Sequence, residues 1–180
     1  MSPWSAGGPP RMTDTPTPTY AVVHRAAQPA ATVTRTVTMA TTSEVADELL
    51  PLIDRLAARG QAASGPAFLR YLVIDMAGEL VVQAGVPVAV PVEGDGHVEP
   101  DELPAGDYLR TVHVGPYDGL EAATGALLAH AEREGLRFDV QPSDAGEVWA
   151  SRLEWYETNP AEEPDPSRWV TRLEFKLADG

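Results

Sequence analysis

The sequence contains no cysteine, which removes disulfide frameworks, thiol nucleophiles and cysteine-based zinc sites together. Basic residues are scarce as well: 13 Lys and Arg against 27 Asp and Glu give a formal net charge of −14. Phosphate neutralisation needs clustered Lys and Arg, so this balance argues against direct nucleic-acid binding. No stretch approaches the roughly 18 apolar residues of a membrane span, and the N-terminus lacks the apolar core of a signal peptide. A cytoplasmic protein with no membrane contact is the expectation. The four histidines, His24, His97, His113 and His130, show no metal-ligand spacing. The glycine-rich pieces have neither P-loop nor dinucleotide-binding spacing. Neither a metal nor a cofactor is expected.

What is present is 180 residues, enough for one good core or two small halves sharing one. Residues 1–19 are Pro, Gly, Ser and Thr with almost nothing apolar, a composition that cannot offset its ordering entropy by burial. They read as a disordered tail, leaving residues 20–180 as a single domain. Acids concentrate in Glu93 to Asp107 and Glu157 to Asp165, both rich in Pro and Gly, and both read as solubilising loops. The acid excess permits mimicry of nucleic acid towards a protein partner, but no pattern in the sequence demands it.

Periodicity supplies the elements. Tyr20–His24 and Thr32–Met39 alternate as strands, and Val33, Val37 and Met39 share a face of the second. A helix follows from an N-cap at Ser43 to Gly60, with Val45, Leu49, Leu52, Ile53 and Leu56 on one side. Pro51 inside it is expected to kink it. Phe68–Ile74 and Glu79–Gln83 form a hairpin turning at Ala77–Gly78. The plan then repeats: Arg35-Thr36-Val37 recurs as Arg110-Thr111-Val112 and Gly60 as Gly135, both offset by 75 residues (110 − 35 and 135 − 60). The second helix starts at Asp118 with Glu121 as a capping box, and strands Val148–Tyr156 and Arg168–Leu177 complete the second copy.

The expected fold is α+β: tandem strand–helix–strand–strand repeats, about 20–92 and 106–177, joined by a linker at 93–105. Two such units pack most economically by merging their antiparallel sheets about a pseudo-twofold axis, both helices on one face. The opposite, concave face is then left as a ligand cavity. On the strand Trp149–Tyr156, the apolar Trp149, Leu153 and Trp155 are expected to face the helices. Arg152, Glu154 and Tyr156 are expected to line the cavity. The competing reading makes Glu154 a surface carboxylate paired with Arg152.

The motifs carry a resemblance. Gly65-Pro66-Ala67-Phe68-Leu69-Arg70-Tyr71 resembles the first-half signature of the GyrI-like (gyrase-inhibitor-like) small-molecule-binding family. So do Gly94-Asp95-Gly96, Leu103-Pro104-Ala105-Gly106 and His113-Val114-Gly115-Pro116-Tyr117 in the middle. Leu153-Glu154-Trp155-Tyr156-Glu157-Thr158-Asn159-Pro160 followed by Trp169-Val170-Thr171 is similar to its second-half signature. The resemblance implies a domain like the effector-binding domains of multidrug-sensing transcription regulators, with two related halves around a hydrophobic, aromatic cavity. It puts Glu154 at the base of that cavity, meeting a cationic or polar part of a hydrophobic small molecule.

Stand-alone members of this family are credited with hydrolysing cyclopropane-bearing toxins through that glutamate and a tyrosine. The catalytic pair of such an enzyme would here be Glu154 and Tyr156. The ligand-binding set is Phe68, Tyr71, His113, Tyr117, Trp149, Glu154, Tyr156 and Trp169. Strand alternation allows only one of Phe68 and Tyr71 to face the ligand. His113 is read as structural ahead of catalytic, and Trp149 and Trp169 as core or rim. The sequence departs from the regulators in that residues 1–19 hold no helix-turn-helix. Sensing or sequestration of a drug or toxin is therefore the first expectation and hydrolysis the alternative.

Overall fold

Valine-, threonine- and aromatic-rich segments form ten strands among the described residues, and the helices cover one face of their sheet. The computed structural model describes residues 17–180, so of the expected tail residues 1–16 lie outside the described residues. In chain order the elements are β1 (Tyr20–Arg25), β2 (Gln28–Val37), α1 (Ser43–Ala46), α2 (Leu49–Ala58), β3 (Ala67–Ile74) and β4 (Leu80–Pro87). There follow β5 (Glu99–Leu103), β6 (Gly106–Val114), a 3-10 turn (Tyr117–Gly119), α3 (Leu120–Arg133), β7 (Val140–Ser143), β8 (Gly146–Trp149), β9 (Arg152–Tyr156) and β10 (Val170–Lys176). One sheet has the order β1-β6-β10-β9-β3-β4-β2-β5, with the β7–β8 hairpin beside β3. Every pairing is antiparallel.

Read outward from the β9–β3 contact, the strand order is the same on both sides: a hairpin, the strand that precedes the helix, then an edge strand. Each edge strand comes from the opposite side of the chain. β1 pairs with β6 yet is joined to β2 by only Ala26 and Ala27, and β5 pairs with β2 yet reaches β6 through Pro104 and Ala105. Two residues span about 10 Å at most. The two ends of the sheet must therefore lie close together, which curls it into a half barrel.

Cross-strand register assigns the faces. Leu69, Glu154, Leu173, Thr111 and Tyr20 form one row. Around this row Leu69, Leu109, Leu173 and Phe175 pack with Val45 of α1 and with Leu120, Leu127 and Ala131 of α3. On the same face Leu52 and Leu56 of α2 cover Ala31, Val33 and Val86. The opposite face holds a second core drawn entirely from strands and their connections: Ala30, Phe68, Leu103, Tyr108, Leu153 and Trp155. Its members come from both ends of the strand order, so this is the inside of the curl. The orientation of β9 is thus the reverse of that expected. Trp155 points away from the helices, and Glu154 points to the face that carries them.

The inside of the curl also buries a charge. The Glu174 side chain is wholly buried and accepts from Arg25 Nη1 at 2.6 Å, Arg110 Nε at 2.7 Å and Trp155 Nε1 at 3.0 Å. Arg172 Nη1 lies 3.3 Å from the same carboxylate. Arg25 and Arg172 sit 4.9 Å and 5.0 Å from the Trp155 ring centre, so the indole is stacked as well as hydrogen-bonded.

Several local expectations are corrected. The helix from Ser43 is two pieces broken at Asp47–Glu48, and Pro51 falls in the first turn of α2, where its missing N–H has no intrahelical acceptor to lose. The N-cap position is Thr42, whose hydroxyl bonds Thr38 O instead. Asp118 and Glu121 form no capping box; a 3-10 turn intervenes and Gly119 caps α3. The acidic stretch read as a loop contains β5, and the strand read as 148–156 is broken at Ala150–Ser151. There the Arg70 Nη2 takes the freed Ala150 carbonyl at 2.6 Å. That break turns Trp149 to the face opposite Leu153 and Trp155.

Candidate functional site

Helix α3 packs on β6 and the α1–α2 pair on β2 and β4, so on the helix face the strip of sheet carrying β10, β9 and β3 lies between the two helical layers as a groove. Glu154 stands in it, flanked along its row by Leu69 and Leu173. Tyr156 follows two residues on along the same strand and donates its hydroxyl to Glu154 Oε2 at 2.9 Å. Tyr71 approaches the same carboxyl from β3, just before the register shift between Tyr71 and Val73 that re-aims this strand. Loss of hydration in this aromatic surround pushes the Glu154 carboxyl up from the ordinary glutamate range; the Tyr156 hydroxyl and the Arg152 charge oppose the shift without cancelling it. Burial and the neighbouring carboxyl push both tyrosine hydroxyls up in turn, so they stay protonated donors.

The groove's outer wall comes from the turn before α3. The Tyr117 ring lies 5.5 Å from that of Tyr156, edge to face, and 4.8 Å from Trp169. Trp169 is anchored by its Nε1, which donates to Glu163 O at 2.8 Å. His113 holds the turn in place: its Nε2 meets Pro116 O at 2.9 Å. The same ring packs against Gly119, where an added Cβ would lie 2.6 Å from His113 Cε1. His113 therefore positions Tyr117 and makes no approach to Glu154.

Of the eight residues singled out from sequence, Glu154, Tyr156, Tyr71, Tyr117 and Trp169 converge. Phe68 does not; it is buried inside the curl, its ring 5.1 Å from Trp155. Trp149 lies to one side of the groove with Phe138 and Phe175, at 5.4 Å and 5.8 Å. Sequence reasoning placed Arg152 on the face of Glu154, as a cavity-lining residue or as its partner, but missed the aromatic setting of its guanidinium. The guanidinium is stacked among Trp149, Phe175 and Tyr71. Nothing in the residue pattern brings Trp149 and Phe175 to it, because they arrive from a strand break and from the neighbouring strand.

Among the described residues no group of three or more His, Cys, Asp or Glu side chains is arranged to hold a metal ion. No described helix is long and apolar enough to cross a membrane. Chemically, the groove offers one desolvated carboxyl, the Tyr156 hydroxyl that donates to it, the Tyr71 hydroxyl nearby, and aromatic walls. Such a set can accept a cation or polar hydrogen at its base, or exchange a proton with a bound molecule.

A search of curated proteins finds no match. Among solved structures, the C-terminal domain of EcmrR superposes with a TM-score of 0.66 at 17% identity, covering 91% of this chain and 99% of that domain. In the EcmrR–DNA complex the match has a TM-score of 0.68 at 18% identity and covers 91% of this chain but 58% of the EcmrR chain. SAV2435, solved bound to tetraphenylphosphonium, gives a TM-score of 0.62 at 6% identity over 89% of this chain and 94% of that one. A hydrolase from Listeria innocua gives 0.60 at 13% identity, covering 88% and 91%. At these identities the likenesses establish the fold. The sequence profile of the GyrI-like small molecule binding domain matches residues 18–177, and the chain belongs to the GyrI-like family.

Proposed function

We propose that this protein senses or sequesters hydrophobic, cationic small molecules in the groove over β9 and β3, with Glu154 at its base. The observation that carries this is the state of Glu154: a desolvated carboxyl whose hydrogen bond comes from a tyrosine hydroxyl, and which no cation touches within 4.0 Å among the described residues. A buried carboxyl is costly without a partner, and a cationic ligand stacked on Tyr71, Tyr117, Tyr156 and Trp169 supplies one. The bound tetraphenylphosphonium of SAV2435, on the same fold, is in keeping with it. The reading takes residues 20–180 as one domain of two halves acting in the cytoplasm. A net charge of −14 suits small-molecule binding without contact to nucleic acid.

Calorimetric titration with tetraphenylphosphonium and with neutral triphenylphosphine oxide tests it. Removing one member of a desolvated charge pair costs about 2–5 kcal/mol, so Glu154→Gln should weaken phosphonium binding about 30-fold or more. The oxide should bind the variant nearly as it binds wild type. Equal phosphonium affinity in wild type and variant would sink the reading.

The 2.9 Å contact between the Tyr156 hydroxyl and Glu154 favours a second reading, a hydrolase of cyclopropane-bearing toxins. A carboxyl raised by burial is suited to take a proton from water or return it near neutral pH, with Tyr156 assisting. In that case Glu154→Gln abolishes turnover of a cyclopropane-bearing substrate while leaving its affinity largely unchanged.

A further inference from the structure

Arg152 lies two residues from Glu154 on the same strand face, about 6.6 Å away along the backbone. Its Cζ is 4.8 Å from the Trp149 ring centre, 4.7 Å from Phe175 and 5.9 Å from Tyr71. The other arginines that approach the sheet's buried layers are engaged: Arg25, Arg110 and Arg172 by Glu174, and Arg70 by Asp101, Gln83 and the Ala150 carbonyl. The Arg152 guanidinium, by contrast, has no hydrogen bond and no carboxylate oxygen within 4.0 Å among the described residues. The rings hold the cation by their faces, which leaves its edge of N–H donors without an acceptor.

Arg152 also lines a recess of about 360 Å³ between α3 and the β7–β8 hairpin, walled by Leu128, Leu136 and Phe138. Two acids border this recess, Glu132 and Glu147. Both are exposed, and Glu147 already accepts from Trp149 Nε1 at 3.3 Å, so solvent screens their charge.

We propose that the ligands of this groove are amphoteric aromatic molecules, with a cationic or hydrogen-bonding end at Glu154 and a carboxylate or sulfonate on the free edge of Arg152. The inference rests on the groove reading above and adds a second charge to it. A lone carboxyl would draw any apolar cation. Here a fixed cation stands one strand repeat away, so a ligand carrying positive charge alone gains at Glu154 and loses at Arg152. An acidic group on the same ligand converts that loss into a two-pronged contact, for which the planar guanidinium is shaped.

The test uses one rhodamine ring system in two forms: the ethyl ester, a permanent cation, and the free acid, a zwitterion. Binding is followed by quenching of tryptophan fluorescence. Wild type should bind the acid about tenfold more tightly than the ester, the usual scale for a hydrogen bond to a charged group. Arg152→Gln should bring that ratio to about one. Arg152→Lys should keep part of it, since the charge remains and the fork is lost. Wild type binding the ester as tightly as the acid overturns the inference; this comparison needs no variant to fold. An unchanged ratio in Arg152→Gln overturns it equally. In either event the groove reading still stands if Glu154→Gln weakens the ester. Failure of both dyes to bind wild type overturns the two together.

Discussion

Replacing Glu174 with glutamine is the sharpest test of how this sheet is held. The carboxylate has no exposed surface and is the counter-charge shared by Arg25, Arg110 and Arg172, whose side chains are 19%, 34% and 18% exposed; Arg172 also reaches Glu157, at 2.9 Å. Glutamine keeps one acceptor oxygen for Trp155 Nε1 or one guanidinium, but it turns an N–H₂ donor towards the others. Breaking a buried ion pair by removing one partner costs about 3–5 kcal/mol. Water reaches all three arginines, so the loss should fall at the lower end, about 3 kcal/mol. With a urea dependence of about 2 kcal/mol per molar for a domain of this size, the unfolding midpoint should drop by about 1.5 M. The slope should not change. Glu154→Gln makes the same chemical change on the other face, where the carboxyl lacks an ion-pair partner, and should leave the midpoint where it is or raise it. A fall of less than about 0.5 M for Glu174→Gln, or equal falls for the two variants, would refute the assignment of opposite roles to the buried Glu174 and the half-buried Glu154.

Two further outcomes are expected. Because burial raises the Glu154 pKa in the folded state, the folded protein holds a proton that the unfolded chain has released; stability is then lost as pH rises above the ordinary glutamate range. Relative to Glu154→Gln, wild type should lose about 1.4 kcal/mol per pH unit through that window and level off once the raised pKa is passed, and a difference flat with pH in urea melts would contradict it. Gly119→Ala drives a methyl into the His113 ring and should cost about 1–3 kcal/mol; adding His113→Ala should recover most of that, and a strictly additive double variant would show that the two are not in contact.

Much of the architecture is legible in the sequence because alternation and the 75-residue offset are local signals. They mark β2, the β3–β4 hairpin, both helical layers and the strand bearing Glu154. Alternation separates Leu153 and Trp155 from Glu154 and Tyr156, but it cannot say which set meets a helix. In this fold both faces are covered, one by helices and one by the curl, so the bulkier set went inside the curl. β5 was hidden for a different reason. Glu99, Pro100, Asp101 and Glu102 look like a loop, yet an edge strand paired on one side tolerates proline and charge. The aromatic setting of Arg152 arises from Phe175 on the neighbouring strand and Trp149 beyond a chain break, which no spacing rule connects.

The exchanged edge strands fasten the rim of the curl like a double clasp, since each is tied to the far side by two residues. The middle is joined differently. β9 and β3 share four paired positions, Leu153 to Tyr156 against Arg70 to Ala67, whereas β2 and β4 share eight. The two pairs of β8 with β3, Val73 with Val148 and Ile74 with Glu147, continue that ladder, so the two sides of the sheet meet through six paired positions. That ladder is the floor beneath Glu154 and Tyr156. A molecule lodged above it leans on residues from both sides of the joint, Tyr71 on one and Tyr156 on the other. On the proposed function, a ligand in the groove would therefore bear on both slopes of the sheet at once.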